Sequence, residues 1–197
     1  MTEKVIAAIK RGEVVILPLE HSYVYACDAF SIPAVNRLHQ LRNDPRGIAA
    51  QVIVGKVQTL GGLVQVTSAG VKELVEEFWP GLLTLNLPQN QSLSWDLGDG
   101  GNLKNFAVRM PDQLGTLEVT NATGPLAIAS ATLAGGVPVT RIENIHQLQA
   151  LDAGELVAGP FSTVVAQEGE NLVVIRVGAL TLEDLRKVAP TIELANQ

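Results

Sequence analysis

Hydrophobic positions recur along this chain at two spacings, and the alternation between them predicts helices and strands in turn. Val5, Ile6 and Ile9 fall at helical spacing, and Gly12 follows Lys10-Arg11, which reads as an opening helix with a cationic last turn and a glycine stop. Glu13 to Leu17 is rich in β-branched residues and predicts a strand closed by Pro18, a residue that ends ladder pairing except at a sheet edge. Ser31 before Ile32-Pro33 marks a second helix start, with Val35, Leu38 and Leu41 on its inward face. The polar loop Arg42-Asn43-Asp44-Pro45-Arg46-Gly47 follows, and Val52 to Val54 resumes as a buried strand. Ser68 caps a further amphipathic helix carrying Val71, Leu74, Val75 and Phe78, which Pro80-Gly81 breaks before a strand from Leu82 to Leu87.

Gln89 to Asn102 is a long polar connection with three glycines, of a length that suits either a functional loop or a plain surface excursion. Phe106 to Met110, Leu126 to Ala129, Thr163 to Ala166 and Leu172 to Ile175 supply more strands, with helices near Asn144 to Leu151 and Thr181 to Val188. Neither a repeat nor a domain linker interrupts this order. Strands that are continuous apolar runs, interspersed with helices, predict a single α/β domain with a helix-covered sheet.

Composition narrows the functional classes. With 47% hydrophobic and 17% charged residues in 197, the chain can build a sizeable core. No apolar run approaches the roughly 20 residues of a membrane helix, and Met1-Thr2-Glu3-Lys4 lacks the plan of a signal peptide, so a cytoplasmic location is expected. The single cysteine, Cys27, excludes an internal disulfide and a cysteine metal cage, and reads as a small buried apolar residue. A net charge of −6 argues against a surface that clings broadly to phosphate backbone, and 4% aromatic residues leave few platforms for stacked bases. The chain has no His-x-x-x-His pair, acidic calcium loop or Gly-x-x-x-x-Gly-Lys phosphate loop.

Five strings stand out in order: Pro18-Leu19-Glu20-His21-Ser22-Tyr23, Phe78-Trp79-Pro80-Gly81, Val108-Arg109-Met110-Pro111, Ser130-Ala131-Thr132-Leu133-Ala134-Gly135 and Ser162-Thr163-Val164-Val165, with Arg176-Val177-Gly178 near the end. Together they resemble the YrdC-like family, which includes the threonylcarbamoyl-AMP synthases of tRNA modification, over about residues 3–180. The resemblance implies a twisted mixed sheet flanked by helices, with a central cleft. It implies that Tyr23, Arg109 and Ser162 bind a small amino acid, Arg109 receiving the carboxylate through its planar fork of donors. Arg42, Ser130, Thr132 and Arg176 would face a nucleotide, ATP serving as substrate with magnesium rather than as a tightly held cofactor.

The chain departs from the family pattern at several of these places. Leu19 and His21 stand where the family has hydroxyl-bearing residues, and Val24 stands where it has glycine. A family Lys-x-Arg clamp becomes Arg42 and Asp44, and an aspartate beside a triphosphate adds repulsion unless a metal bridges the two. Arg46 is the candidate replacement cation. Thr132 replaces an asparagine, and Ala134 a serine. His21 is a candidate proton-transfer group by residue type, and equally suits a structural place. Two readings follow: a synthase that forms an acyl adenylate from threonine, bicarbonate and ATP, or a non-catalytic relative whose cleft binds a nucleotide, RNA or a protein. The acidic charge weighs against RNA.

Overall fold

The computed structural model describes residues 1–65, 67–142 and 148–195. In chain order the elements are α1 (Thr2–Lys10), β1 (Val15–Pro18), β2 (Tyr23–Asp28), α2 (Ile32–Arg42), β3 (Gln51–Ile53), a 3-10 turn (Val57–Thr59) and α3 (Leu60–Leu63). They continue as α4 (Ala69–Phe78), β4 (Leu83–Pro88), β5 (Asn105–Arg109), α5 (Leu114–Thr123), β6 (Leu126–Ser130), β7 (Thr163–Glu168), β8 (Asn171–Arg176), α6 (Leu182–Val188) and β9 (Glu193–Leu194). The strands form one mixed sheet in the order β1-β2-β6-β3-β5-β4-β7-β8-β9. Parallel pairs β3–β5, β4–β7 and β8–β9 alternate with antiparallel neighbours. The expected mixed α/β fold is present.

Alternation of side chains along each strand divides the core in two. Ile16, Tyr23, Tyr25, Cys27, Val52 and Leu85 pack with Val35 and Leu38 of α2, Leu74 of α4 and Leu185 of α6. Val15, Leu17, Val24, Ala26, Ile53 and Ile128 pack on the opposite face with Val5 and Ile9 of α1 and Val119 of α5. The helix starts read from sequence hold at atomic level: Ser31 accepts from the Ala34 amide, Ser68 from the Val71 amide, and Thr181 forms a capping box with Asp184. Pro18 is tolerated within a strand because β1 lies at the sheet edge, where it pairs only with β2 among the named strands.

Several elements differ from the sequence reading, β2 and α5 foremost. The segment after Pro18 is a tight turn into β2, whose Tyr23-to-Cys27 run is buried on both faces and so carries no alternation. Helix α5 also went unseen, because Thr116 and Thr120 are buried beside Val119 and blur its apolar stripe. Thr120 Oγ1 donates to the Thr116 carbonyl at 2.7 Å, Thr123 Oγ1 to the Val119 carbonyl at 2.9 Å, and Thr116 Oγ1 to the Pro18 carbonyl at 2.5 Å. Of the helix expected near Asn144 to Leu151, residues 144–147 lie outside the described residues. Residues 148–151 are not helical, and Ala150 forms a parallel bridge with Ile16 instead. No helix among the described residues is long and apolar enough to cross a membrane.

Candidate active site

Strands β2, β6, β3 and β5 send Val24, Ile128, Ser130, Gln51 and Arg109 onto one region of the sheet, and a cleft of about 410 Å³ lies over it. Its floor belongs to the face that α1 and α5 cover elsewhere. The far wall is built by the connection between β6 and β7, through Val137, Pro138, Thr140 and the run from Ala158 to Phe161. That connection is tied to the N-terminal hairpin. The Ile16 amide donates to the Gln149 carbonyl and the Leu151 amide to the Ile16 carbonyl, both at 2.9 Å, and the Tyr23 amide donates to the Val139 carbonyl at 2.7 Å.

Tyr23 accounts for much of this attachment. Its side chain is fully buried; its hydroxyl donates to the Gly154 carbonyl at 2.7 Å and accepts from the Ala153 amide at 2.9 Å. Burial is the main cause that raises its phenol above the ordinary value. Tyr23, expected to touch substrate, is placed where it fastens the wall, outside the residues that border the cleft. His21 does line the cleft. Its Nδ1 donates to the Val157 carbonyl at 2.9 Å, and Gly159 packs so closely that a Cβ there would meet the imidazole at 2.5 Å.

Arg42 and Asp44, the positions read as a clamp, are engaged with the protein itself. Arg42 Nη1 donates to the carbonyls of Ser130 and Thr132 at 2.5 and 3.0 Å, and its Nε donates to Asp44 at 2.9 Å. The Asp44 side chain is 4% exposed and also meets His39 Nδ1 at 2.9 Å, while His39 Nε2 meets the Leu97 carbonyl at 2.8 Å. Both ring nitrogens of His39 thus face oxygen atoms, one of Asp44 and one of the Leu97 backbone. Asp44 is neither in the cleft nor in solvent: it aims Arg42 at the backbone of the Ser130 loop. Thr132 is turned toward Gly136, whose Cβ position lies 2.5 Å from Thr132 Oγ1, and neither Thr132 nor the exposed Arg46 lines the cleft.

Arg109, Ser130, Ser162 and Arg176 are brought together in the cleft wall. Arg109, 5% exposed, is already paired: Nη1 and Nη2 donate to the two carboxylate oxygens of Glu20 at 3.1 and 2.9 Å. The Asp112 amide donates to the same carboxylate at 2.8 Å. Sequence reasoning passed over Glu20 because its partner lies 89 positions away, although it sits inside the first string singled out. Arg176 lies at the end of β8, donating through Nε and Nη2 to the Ser162 carbonyl at 3.2 and 2.9 Å, with its guanidinium carbon 5.8 Å from the centre of the exposed Phe161 ring. Burial first and the nearby Arg109 charge second lower its affinity for its proton.

A polar relay runs beneath Ser162. Gln51 Nε2 donates to Thr84 Oγ1 at 2.9 Å, and Thr84 Oγ1 lies 2.8 Å from Ser162 Oγ. Thr84 is buried, and either of the two hydroxyls can donate to the other. Arg176 Nη2 donates to the same Ser162 oxygen at 3.2 Å.

Cys27 supplies no chemistry here. Burial, and less so the Asp28 carboxylate, push its thiol up to about 12. Iodoacetamide at about pH 8 is expected to leave the native protein unmodified and to add one adduct after denaturation, counted by mass spectrometry. No group of three or more His, Cys, Asp or Glu suited to a metal ion occurs among the described residues.

Comparisons with known proteins agree with this architecture. A protein of Mycobacterium tuberculosis, provisionally named a threonylcarbamoyl-AMP synthase, is 34% identical over 189 residues, covering 93% of this chain and 86% of its own length. The threonylcarbamoyl-AMP synthase of Bacillus subtilis is 31% identical over 92% of this chain, which spans 54% of that protein. Among solved structures, Pyrococcus abyssi Sua5 complexed with L-threonine superposes with a TM-score of 0.88 at 27% identity, over 99% of this chain and 60% of that one. Escherichia coli YciO shares the fold at 19% identity, with a TM-score of 0.79 over 93% of this chain and 92% of that one. The family model for Sua5, YciO and YrdC, described as telomere recombination, matches residues 7–178. With a sheet of the same plan and a match over most of its length, the chain belongs to the Sua5/YciO/YrdC family.

Proposed function

We propose that this protein is a threonylcarbamoyl-AMP synthase, forming an acyl adenylate from L-threonine, bicarbonate and ATP. The observation that carries the reading is the cleft itself: Arg109, Ser130, Ser162 and Arg176, drawn from four separate parts of the chain, converge on it in a member of this family. In the reaction the threonine amine and bicarbonate combine to a carbamate with loss of water. A carbamate oxygen then attacks the α-phosphate, forming the acyl adenylate and releasing pyrophosphate. The acyl adenylate is the form in which the threonylcarbamoyl group passes on to a tRNA adenosine.

No enzymic nucleophile is required, so the protein's work is positioning and charge neutralisation. In this reading Arg176 and the Ser162 hydroxyl hold anionic groups of the ligands, and Ser130 borders the nucleotide. Arg42 acts indirectly, holding the Ser130–Thr132 backbone in place. Magnesium enters bound to the ATP phosphates as part of the substrate. The net charge of −6 favours small ligands over an extended RNA backbone.

The test is release of pyrophosphate measured with each substrate omitted in turn. The expected result is release that requires threonine, bicarbonate and ATP together. Nucleotide-induced thermal stabilisation without any turnover would show instead a binding protein built on the same fold.

A further inference from the structure

The long polar connection of residues 89–102 is fastened beside helix α2. Trp95 anchors it: the indole is buried, stacks on Phe30 with ring centres 5.4 Å apart, and donates from Nε1 to Gln89 Oε1 at 2.8 Å. Asp96 Oδ1 accepts from the Gly98 and Gly100 amides, both at 2.9 Å, and closes the turn that follows. Between them the Leu97 carbonyl accepts from the Ala50 amide at 2.7 Å, which ties the connection to the chain entering β3. His39 Nε2 lies 2.8 Å from that same carbonyl. Gly98 makes room for the contact: at a φ of 109° a side chain is strained, and a Cβ would collide with the imidazole and with the Ile48 carbonyl.

His39 therefore stands between two loops. From its Nδ1 the path runs to Asp44 and from there to Arg42, each step 2.9 Å, and Arg42 Nη1 donates to the carbonyls of Ser130 and Thr132. Asp44 lies beyond the end of α2, after Asn43 at a φ of 53°, and among the described residues its carboxylate is held by Arg42 and His39 alone. The Arg42 carbonyl in turn accepts from the Ala134 amide at 2.8 Å, so Arg42 grips the Ser130 loop through its side chain and its backbone together.

We propose that His39 is a positioning residue that makes the connection of residues 89–102 a working part of the nucleotide site. The connection fixes His39, His39 fixes the Asp44 carboxylate, and that carboxylate aims Arg42 at the Ser130 loop. No residue of the connection borders the cleft, so its effect is carried wholly by this path. That the Ser130 loop faces a nucleotide rests on the function proposed above; the coupling of the two loops does not. Coupling of this kind is reciprocal: a nucleotide that steadies the Ser130 loop steadies the connection by the same factor.

Two substitutions cut the path at different links. An asparagine amide reaches about as far as Nδ1 and a glutamine amide about as far as Nε2, so His39→Asn keeps the Asp44 contact and drops Leu97, and His39→Gln does the reverse. ATP with magnesium, and L-threonine, are titrated separately into wild type and both variants by calorimetry. Each variant is expected to bind ATP about tenfold more weakly, the size of one lost hydrogen bond, and threonine within about twofold of wild type. A loss confined to His39→Gln overturns the proposal, since Asp44 and Arg42 would then hold the loop without the connection. So does an equal loss for both ligands, the mark of a general loosening. Amide exchange without ligand is the second readout: both variants are expected to exchange the Ala134 amide about tenfold faster, and an unchanged rate overturns the coupling. If wild type binds no ATP, the synthase reading fails, and exchange at Ala134 still decides the coupling. If neither variant folds, wild type decides it: saturating ATP is expected to slow exchange at Ala50, whose amide donates to Leu97, and an unchanged rate there overturns the proposal.

Discussion

Arg176→Ala is expected to lower threonine- and bicarbonate-dependent pyrophosphate release by about 100-fold, equivalent to about 2.7 kcal/mol of lost transition-state stabilisation. The reason is the cleft's charge inventory. Of its two guanidiniums, Arg109 is held by Glu20, so Arg176 is the cation left to meet the charge that builds on carbamate and phosphates. The same substitution should cost little stability, because Arg176 is an exposed strand-end residue whose bonds go to Ser162. Thermal unfolding is expected to move by no more than about 4 °C, the scale of 1 kcal/mol in a chain of this size. A large loss of stability with proportionate loss of activity would make Arg176 a structural residue. Unchanged release in a folded variant would remove it from the site.

Asp44→Ala is expected to act in the opposite proportion. The buried carboxylate binds Arg42 and His39 together, and its removal leaves the Arg42 guanidinium without its anion, a change that costs about 3 kcal/mol when a buried pair is broken. Denaturant unfolding measures this directly. Arg42 also carries the carbonyls of Ser130 and Thr132, so loosening it is expected to weaken nucleotide binding although Asp44 touches no ligand. Arg42→Ala should produce much the same loss, and the double variant should fall well short of the sum, because the two side chains act as one unit. Additive losses would show that Asp44 and Arg42 support the loop separately.

The pair of effects explains which parts of the molecule can be read from sequence. Helices α1, α4 and α6 were legible because their signals are local: an apolar stripe with a breaker after it in each, and a capping hydroxyl in α4 and α6, all within a dozen residues. Strand β2 carried no alternation because both its faces are buried, and α5 concealed itself by satisfying its threonines internally. The cleft's main side chains were legible through their motifs, and Arg109, Ser130, Ser162 and Arg176 do converge. What sequence could not disclose was pairing across long separations. Arg42 meets Ser130 over 88 positions and Arg109 meets Glu20 over 89, so the first becomes a brace and the second a neutralised pair. The Asp44 substitution, which looks adverse for a phosphate clamp, is the counter-ion that makes Arg42 a brace.

Tyr23 joins the cleft's wall to its floor, since its backbone pairs within the sheet while its hydroxyl holds Ala153 and Gly154 of the β6–β7 connection. The wall is therefore not an independent lid with a hinge of its own. Amide exchange at Leu151 and Ala153, which donate to Ile16 and to Tyr23, should accordingly follow the slow opening of the β1–β2 hairpin rather than the fast fraying of a surface loop. The exposed rim of the cleft lies instead at Val137 and Phe161, whose side chains can rotate without any change in that backbone pairing.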